Sequence, residues 1–256
     1  MTEIRSHPNG APCWIDIGTS DVPGAIAFYS SLFAWDIEVG PAEMNHYSMA
    51  ALNGRLVGAI AGQPAPGPIY WAVYLKTDDV NATVEKARAA GGTVIVEPID
   101  VMTFGRMAIV TDPGGAFVSF WQPGEHGGAQ VTNESGAAVW FELQTRAIEP
   151  SLEFYTAVCG WNVHQNDTPN HPYYELACGD AAPFGGLLPV VGDMLPPEVP
   201  NNWLVYFGVD DADDTALRCT DLGGSVLLQP TTIAPGRFAI LGDPQGGTFA
   251  ILQPSL

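Results

Sequence analysis

Basic residues are scarce in this chain: seven Arg and two Lys stand against 28 acidic residues, a net charge of −19 over 256 residues. A surface so short of cations repels phosphate backbones and anionic headgroups, so neither nucleic acid nor a membrane is expected as a partner. Long apolar runs are missing too. No stretch approaches the roughly 18 residues that a membrane span needs, and Met1 to Gly10 is polar, without the apolar segment of a secretory signal. A cytoplasmic location is the expectation. Cysteine is sparse, and Cys13, Cys159, Cys178 and Cys219 show neither CxxC spacing nor correspondence between the two halves. They read as reduced packing residues rather than a disulfide framework or metal site. No glycine-rich phosphate loop or serine nucleophile elbow occurs, so nucleotide-dependent and acyl-transfer chemistry lack support. Charged residues make up only 14% and apolar residues 46%, the balance of a compact chain, long enough here for two ordinary domains.

What is present is repetition. Trp14-Ile15-Asp16-Ile17 returns as Trp140-Phe141-Glu142-Leu143, and Phe28-Tyr29 with Trp35 returns at the same spacing as Phe154-Tyr155 with Trp161. Gly105-Arg106 with Asp112-Pro113 returns as Gly236-Arg237 with Asp243-Pro244, and Trp121-Gln122-Pro123 as Leu252-Gln253-Pro254. Such self-similarity fixes the architecture before any local reading. Two homologous domains are expected at 11–123 and 137–256, joined by a polar, glycine-rich linker over 124–136. Within each half a shorter unit recurs, opening on Trp14, Trp71, Trp140 and Trp203.

The first unit reads as strand, helix and three strands. Residues 13–20 alternate as a half-buried strand does, Asp21 follows as a helix N-cap, and Ile26, Phe28, Tyr29, Leu32 and Phe33 fall at helical spacing. Asn53-Gly54 between apolar alternations signals a tight hairpin. The second unit opens at Tyr70-Trp71, with Asp78 or Asp79 capping a helix over 80–90 that Gly91-Gly92 terminates. Asp112-Pro113 and Asp243-Pro244 are turn formers.

This order of elements, the four-fold repetition and the Gly-Arg, Asp-Pro-x-Gly and terminal Gln-Pro signals resemble the vicinal oxygen chelate superfamily, the glyoxalase, bleomycin-resistance and extradiol-dioxygenase group, over about residues 11–254. Within it the chain looks most like two-domain actinobacterial members found in antibiotic gene clusters, often labelled hydroxylases, and like a mycobacterial antigen of similar size. The resemblance implies an α+β fold: four βαβββ modules, paired into two cupped, half-open mixed β-sheet barrels with the helices outside. It leaves open which modules pair.

Members that use a metal draw His, Gln or Glu from the opening strands of two modules and Glu from a closing strand, because a divalent ion needs three or four converging ligands. By that resemblance the opening positions here are Trp14, Trp71, Trp140 and Trp203, and the closing ones fall near Ser119 and Ala250, so neither metal nor cofactor is expected. His7 and His126 lie in the tail and linker; His46, His164 and His171 lie beyond the first helix of each half, with His46 the one closest to a cavity by sequence.

The tryptophans either line the cups as flat apolar walls or fill the sheet faces. Asp16 and Glu142 share a strand face with Trp14 and Trp140. They read either as cavity carboxylates of raised pKa, able to act as general bases, or as partners of Arg106 and Arg237 in internal ion pairs. Tyr47 and Tyr174, taken as equivalent, either bond a ligand or pack. Trp121, Arg106 and Arg237 complete the ligand-binding candidates. Three functions remain open: binding or sequestering an apolar, aromatic, antibiotic-like molecule, as an accessory or self-resistance protein; metal-independent isomerisation, cyclisation or hydroxylation on a cavity carboxylate; and a metal-dependent glyoxalase or dioxygenase reaction. Either a monomer or a homodimer suits the sequence.

Overall fold

A computed structural model of the chain describes residues 4, 6–63, 65–166 and 172–255. In the first half the order is β1 (Pro12–Thr19), α1 (Val22–Phe33), β2 (Asp36–Glu38), β3 (Ser48–Leu52), β4 (Arg55–Gly62), β5 (Trp71–Lys76), α2 (Val80–Ala89), β6 (Thr93–Val101), β7 (Gly105–Thr111) and β8 (Phe117–Pro123). The second half repeats it as β9 (Ala138–Thr145), α3 (Ile148–Cys159), β10 (Trp161–Asn166), β11 (Tyr173–Cys178), β12 (Gly185–Pro189), β13 (Asn202–Gly208), α4 (Ala212–Asp221), β14 (Ser225–Ile233), β15 (Gly236–Gly242) and β16 (Thr248–Pro254).

Local chemistry explains the boundaries. Asp21, Asp79 and Asp211 each accept a backbone N–H from the first turn of the following helix, satisfying a donor that has no partner inside the helix. Asn53 and Gly54 both take positive φ, the conformation a two-residue hairpin requires between β3 and β4.

Each half forms one open eight-stranded mixed sheet, ordered β2-β3-β4-β1-β5-β8-β7-β6 and β10-β11-β12-β9-β13-β16-β15-β14. Adjacent modules therefore pair, joined by the antiparallel contacts of β1 with β5 and β9 with β13. The sheets are open rather than closed into barrels, with β2, β6, β10 and β14 at the edges.

The helices lie on one face of each sheet, outside the cup as expected, and these helix-bearing faces of the two sheets meet. One continuous core contains Ile15, Trp71, Val73 and Leu75 of the first sheet with Leu143, Trp203, Val205 and Phe207 of the second. Trp71 meets Phe207 with ring centroids 5.3 Å apart, and Phe33 of α1 meets Phe207 at 4.8 Å. Polar ties cross in both directions. The Tyr29 hydroxyl donates to Asp243 Oδ2 at 2.8 Å, and Ser151 Oγ donates to Asp112 Oδ2 at 2.9 Å. The cup faces carry two separate, smaller apolar clusters, one around Trp14, Tyr74 and Trp121 and one around Leu204, Tyr206 and Ala250. The cups consequently open on opposite sides of the molecule. Residues 124–136 are not a loose tether: Ala129 N–H donates to the Cys13 carbonyl, Gln130 N–H to the Leu56 carbonyl, and Val131 is buried.

A shared core predicts that the halves unfold together. Urea denaturation followed by circular dichroism and tryptophan fluorescence should give one coincident transition. Tyr29→Phe, which strips a hydrogen bond from a buried carboxylate, should lower stability by about 1.5–3 kcal/mol without splitting that transition. Two separated transitions in the unaltered protein would contradict the arrangement.

Candidate functional site

Strand alternation decides which side chains reach the first cup. On β1, Trp14, Asp16 and Gly18 point into it, while Ile15 and Ile17 point to the shared core. On β5 the cup side belongs to Ala72 and Tyr74, and Trp71 falls on the core side. The expectation that four tryptophans are equivalent is thereby corrected. Trp71 donates its indole N–H to Tyr29 at 3.2 Å and Trp203 donates to Tyr155 at 3.1 Å, both within the core. The signal lay in the helix caps. The cap in the second module is Asp79 rather than Asp78, so aligning it with Asp21 puts Ala72, not Trp71, opposite Trp14.

Asp16 sits at the floor of the first cup. Tyr47 and Tyr74 both donate their hydroxyls to its Oδ2, each at 2.9 Å, and the Trp14 indole N–H donates to the Tyr47 oxygen at 2.8 Å. The chain Trp14 to Tyr47 to Asp16 fixes the direction of the phenol O–H. Desolvation pushes the Asp16 carboxyl up to about 6, and the two tyrosine hydrogen bonds oppose that rise. Oδ1 makes no hydrogen bond to a described residue and stays within reach of solvent.

The carboxylate lines a cleft of about 210 Å³, together with Gly18, Gln63, Tyr70, Tyr74, Phe117 and Ser119. Tyr70 is 42% exposed and tilts against Phe117 at 6.2 Å, making an aromatic mouth. Trp14 and Trp121 lie under the segment following β8. The His126 ring packs edge-on against Trp14 at 4.4 Å, and its carbonyl accepts the Trp121 indole N–H at 2.9 Å. Burial lowers the pKa of His126, and Nε2 has no hydrogen-bond partner among the described residues.

The second cup repeats the core of this arrangement. Glu142 accepts from Tyr173 at 3.1 Å and Tyr206 at 3.2 Å, and Trp140 donates to the Tyr173 oxygen at 2.8 Å. Tyr173 is therefore the counterpart of Tyr47; Tyr174 packs against the shared core. The tandem Tyr-Tyr hid this, since a one-residue shift reverses a side chain's face. Burial raises the pKa of Glu142. The expected ion pairs with arginine do not form. Arg106 pairs with Asp100 and Arg237 with Asp213 through short contacts at the surface, because both arginines lie on the outer hairpins, away from the central strands that carry the acids. His46 is exposed and bonds the Gly40 carbonyl, His164 is exposed on β10, and His171 lies outside the described residues.

The donors around Asp16 are a poor match for a divalent ion. Its cross-strand neighbours are Ala59 and Ala72, its hydrogen-bonded neighbours are phenols, and Ser119 occupies the closing strand. Among the described residues no group of three His, Cys, Asp or Glu side chains is placed to hold a metal.

Comparison with known proteins places the chain. A family model described as "Glyoxalase/Bleomycin resistance protein/Dioxygenase superfamily" matches residues 13–120, and one described as "Glyoxalase-like domain" matches residues 139–252. "Putative glyoxylase CFP32" of Mycobacterium tuberculosis is 41% identical over 263 residues, covering 100% of this chain and 99% of the relative. Anthracycline biosynthesis protein DnrV of Streptomyces peucetius is 36% identical over 266 residues, covering 95% and 93%. Among solved structures, the Mn(II)-bound glyoxalase from Novosphingobium aromaticivorans superposes with a TM-score of 0.67 at 18% identity, covering 96% of this chain and 82% of the other. The 2,2',3-trihydroxybiphenyl 1,2-dioxygenase of Sphingomonas wittichii strain RW1 gives 0.67 at 12%, covering 96% and 91%. At those identities the structural likeness speaks to the fold alone.

Two titrations test the electrostatics. Removing one tyrosine donor in Tyr47→Phe should raise the Asp16 midpoint above 6 by about one unit, the equivalent of one hydrogen bond to a charged group; carbon-13 NMR of the carboxyl reads it, and an unmoved midpoint would contradict the assigned geometry. The raised pKa also means that the native chain binds this proton more tightly than the unfolded chain. Asp16 therefore contributes stability below about pH 4 that is lost as pH rises through 6. Asp16→Asn should remove that share of the fall in unfolding free energy between pH 4 and 7.

Proposed function

The chain belongs to the glyoxalase, bleomycin resistance protein and dioxygenase superfamily, and on that footing we propose that its first cup binds an apolar aromatic small molecule without a metal. The observation that carries the reading is a half-buried carboxylate, held by two tyrosines on one oxygen and without a partner among the described residues on the other, set beneath aromatic walls in an open cleft. Tyr70 and Phe117 offer ring faces to a planar ligand, and Asp16 fixes its orientation. A cleft of about 210 Å³ is smaller than the roughly 300–1,000 Å³ of pockets that enclose drug-sized ligands. It takes one end of a polycyclic molecule and leaves the remainder in the mouth. The likeness to anthracycline biosynthesis proteins supports a role beside the enzymes of such a pathway, sequestering or presenting an aromatic metabolite.

A second reading follows from the same carboxylate. A group that titrates near 6 is matched to proton transfer at neutral pH, so Asp16 is equipped as a general base, with Tyr47 and Tyr74 stabilising its charge. Turnover of a bound aromatic ketone or enol would then fall by 10² or more in Asp16→Asn while binding persists.

Calorimetric titration with hydroxylated polycyclic aromatics should show saturable one-to-one binding that is unchanged after treatment with a chelator and is about tenfold weaker in Asp16→Asn, the cost of one hydrogen bond to a charged acceptor. Elemental analysis of protein purified without chelator should find no stoichiometric transition metal. One tightly held equivalent of metal per chain, or binding lost on chelation, would overturn the proposal.

A further inference from the structure

The two cups differ beside their carboxylates in a way that bears on what the first one binds. Two residues beyond the carboxylate, on the same strand face, the first sheet carries Gly18 and the second carries Gln144. Gln144 is buried, and its carboxamide Nε2 donates to Glu142 Oε1 at 3.0 Å. Both oxygens of Glu142 are thereby satisfied: Oε1 by Gln144 and Tyr206, Oε2 by Tyr173. In the first cup the tyrosines are retained on Oδ2, position 18 carries no carboxamide, the Gln63 side chain beside Gly18 donates instead to the Pro68 carbonyl, and Oδ1 has no partner among the described residues. Gly18 lines the cleft, whereas its counterpart Gln144 is buried. A second exchange acts in the same direction. The cross-strand neighbour of Asp16 is Ala72, whereas that of Glu142 is the buried Leu204.

From this comparison we infer that Gln144 is a built-in surrogate for the ligand: the first cup takes an aromatic molecule whose hydroxyl or amide N–H donates to Asp16 Oδ1 above Gly18, and the second cup is closed by its own chain. The inference rests on the reading of the first cup as an aromatic-binding cleft and names the group the ligand must carry. A ligand that enters the cleft displaces water from this carboxylate oxygen and must replace the hydrogen bond it removes, and a site that hydrogen-bonds one group in this way rejects the analogue that lacks it. A phenol meets the demand; its methyl ether, which has no donor and adds bulk at the acceptor, does not.

The pocket can be exchanged between the halves. Gly18 is not held at positive φ, and a Cβ there meets first the Cγ of Gln63 at 3.0 Å, part of a flexible side chain that can move. Gly18→Gln therefore carries the plug into the first cup. The reciprocal double variant Gln144→Gly with Leu204→Ala empties the second, and a gained site cannot be mistaken for misfolding.

The probes are 2-naphthol and 2-methoxynaphthalene, titrated by calorimetry at pH 7.5. The unaltered chain should bind one equivalent of 2-naphthol, at least tenfold more tightly than the ether. Gly18→Gln should abolish this binding with the circular dichroism spectrum retained, and the double variant should bind two equivalents. Equal affinity for the two probes would overturn the donor assignment while leaving the aromatic-cleft reading intact. Absence of binding by both probes would overturn both. Two equivalents in the unaltered chain, or only one in the double variant, would overturn the assignment of Gln144 as a plug.

Discussion

A carboxylate withdrawn from water makes demands that the rest of each cup is arranged to meet. Burial alone drives Asp16 towards its neutral form; the two tyrosine hydroxyls on Oδ2 oppose that drive, and the result is a group poised near 6. The Trp14 indole serves this purpose at one remove, by holding the Tyr47 oxygen so that its proton points at the acid. Of the positions to which the family resemblance assigns coordinating side chains, Trp14 and Trp140 belong here to a hydrogen-bond network around a carboxylate. The network repeats around Glu142 with Trp140, Tyr173 and Tyr206. A buried acid without such donors costs several kcal/mol, which accounts for the tyrosines being present in both halves.

The back-to-back packing of the sheets explains how the two cups came to differ. The helices and the sheet faces they cover are merged in one core, with Tyr29 reaching Asp243 and Ser151 reaching Asp112. The cups face outward and share none of that core. Side chains on their floors are thus free of the folding constraint. Gly18 and Gln144, or Ala72 and Leu204, lie on those outward faces and differ between the halves while the core they back onto is shared.

Much of this was legible in the sequence. The Trp-x-Asp and Trp-x-Glu repeats and the paired Phe-Tyr helices disclosed the duplication; caps, hairpins and turn residues placed the elements; and strand alternation correctly put Asp16 beside Trp14. Two errors had one cause. Trp71 and Trp203 were matched with Trp14 and Trp140, and Tyr174 with Tyr47, although each lies a single residue out of phase. In a strand that displacement exchanges cup for core, and an aromatic pattern alone does not reveal it because both faces are apolar. The helix caps, whose chemistry has only one register, held the correction. The arginine pairing failed for another reason: scarcity of bases suggested that Arg106 and Arg237 must answer the buried acids, while topology places them on outer hairpins beside Asp100 and Asp213. Phenols can satisfy an acid as cations do, and nothing in the spacing of Tyr47, Tyr74 and Asp16 along the chain announces that they meet.

The most direct measurement is a crystal structure of the protein soaked with 2-naphthol. The account predicts one molecule per chain, in the first cup, with its hydroxyl oxygen about 2.6–3.0 Å from Asp16 Oδ1 and its rings against the Tyr70–Phe117 pair, with none in the second cup beside Gln144. A ligand seated elsewhere, or a metal ion bound to Asp16 at coordination distance, would contradict it.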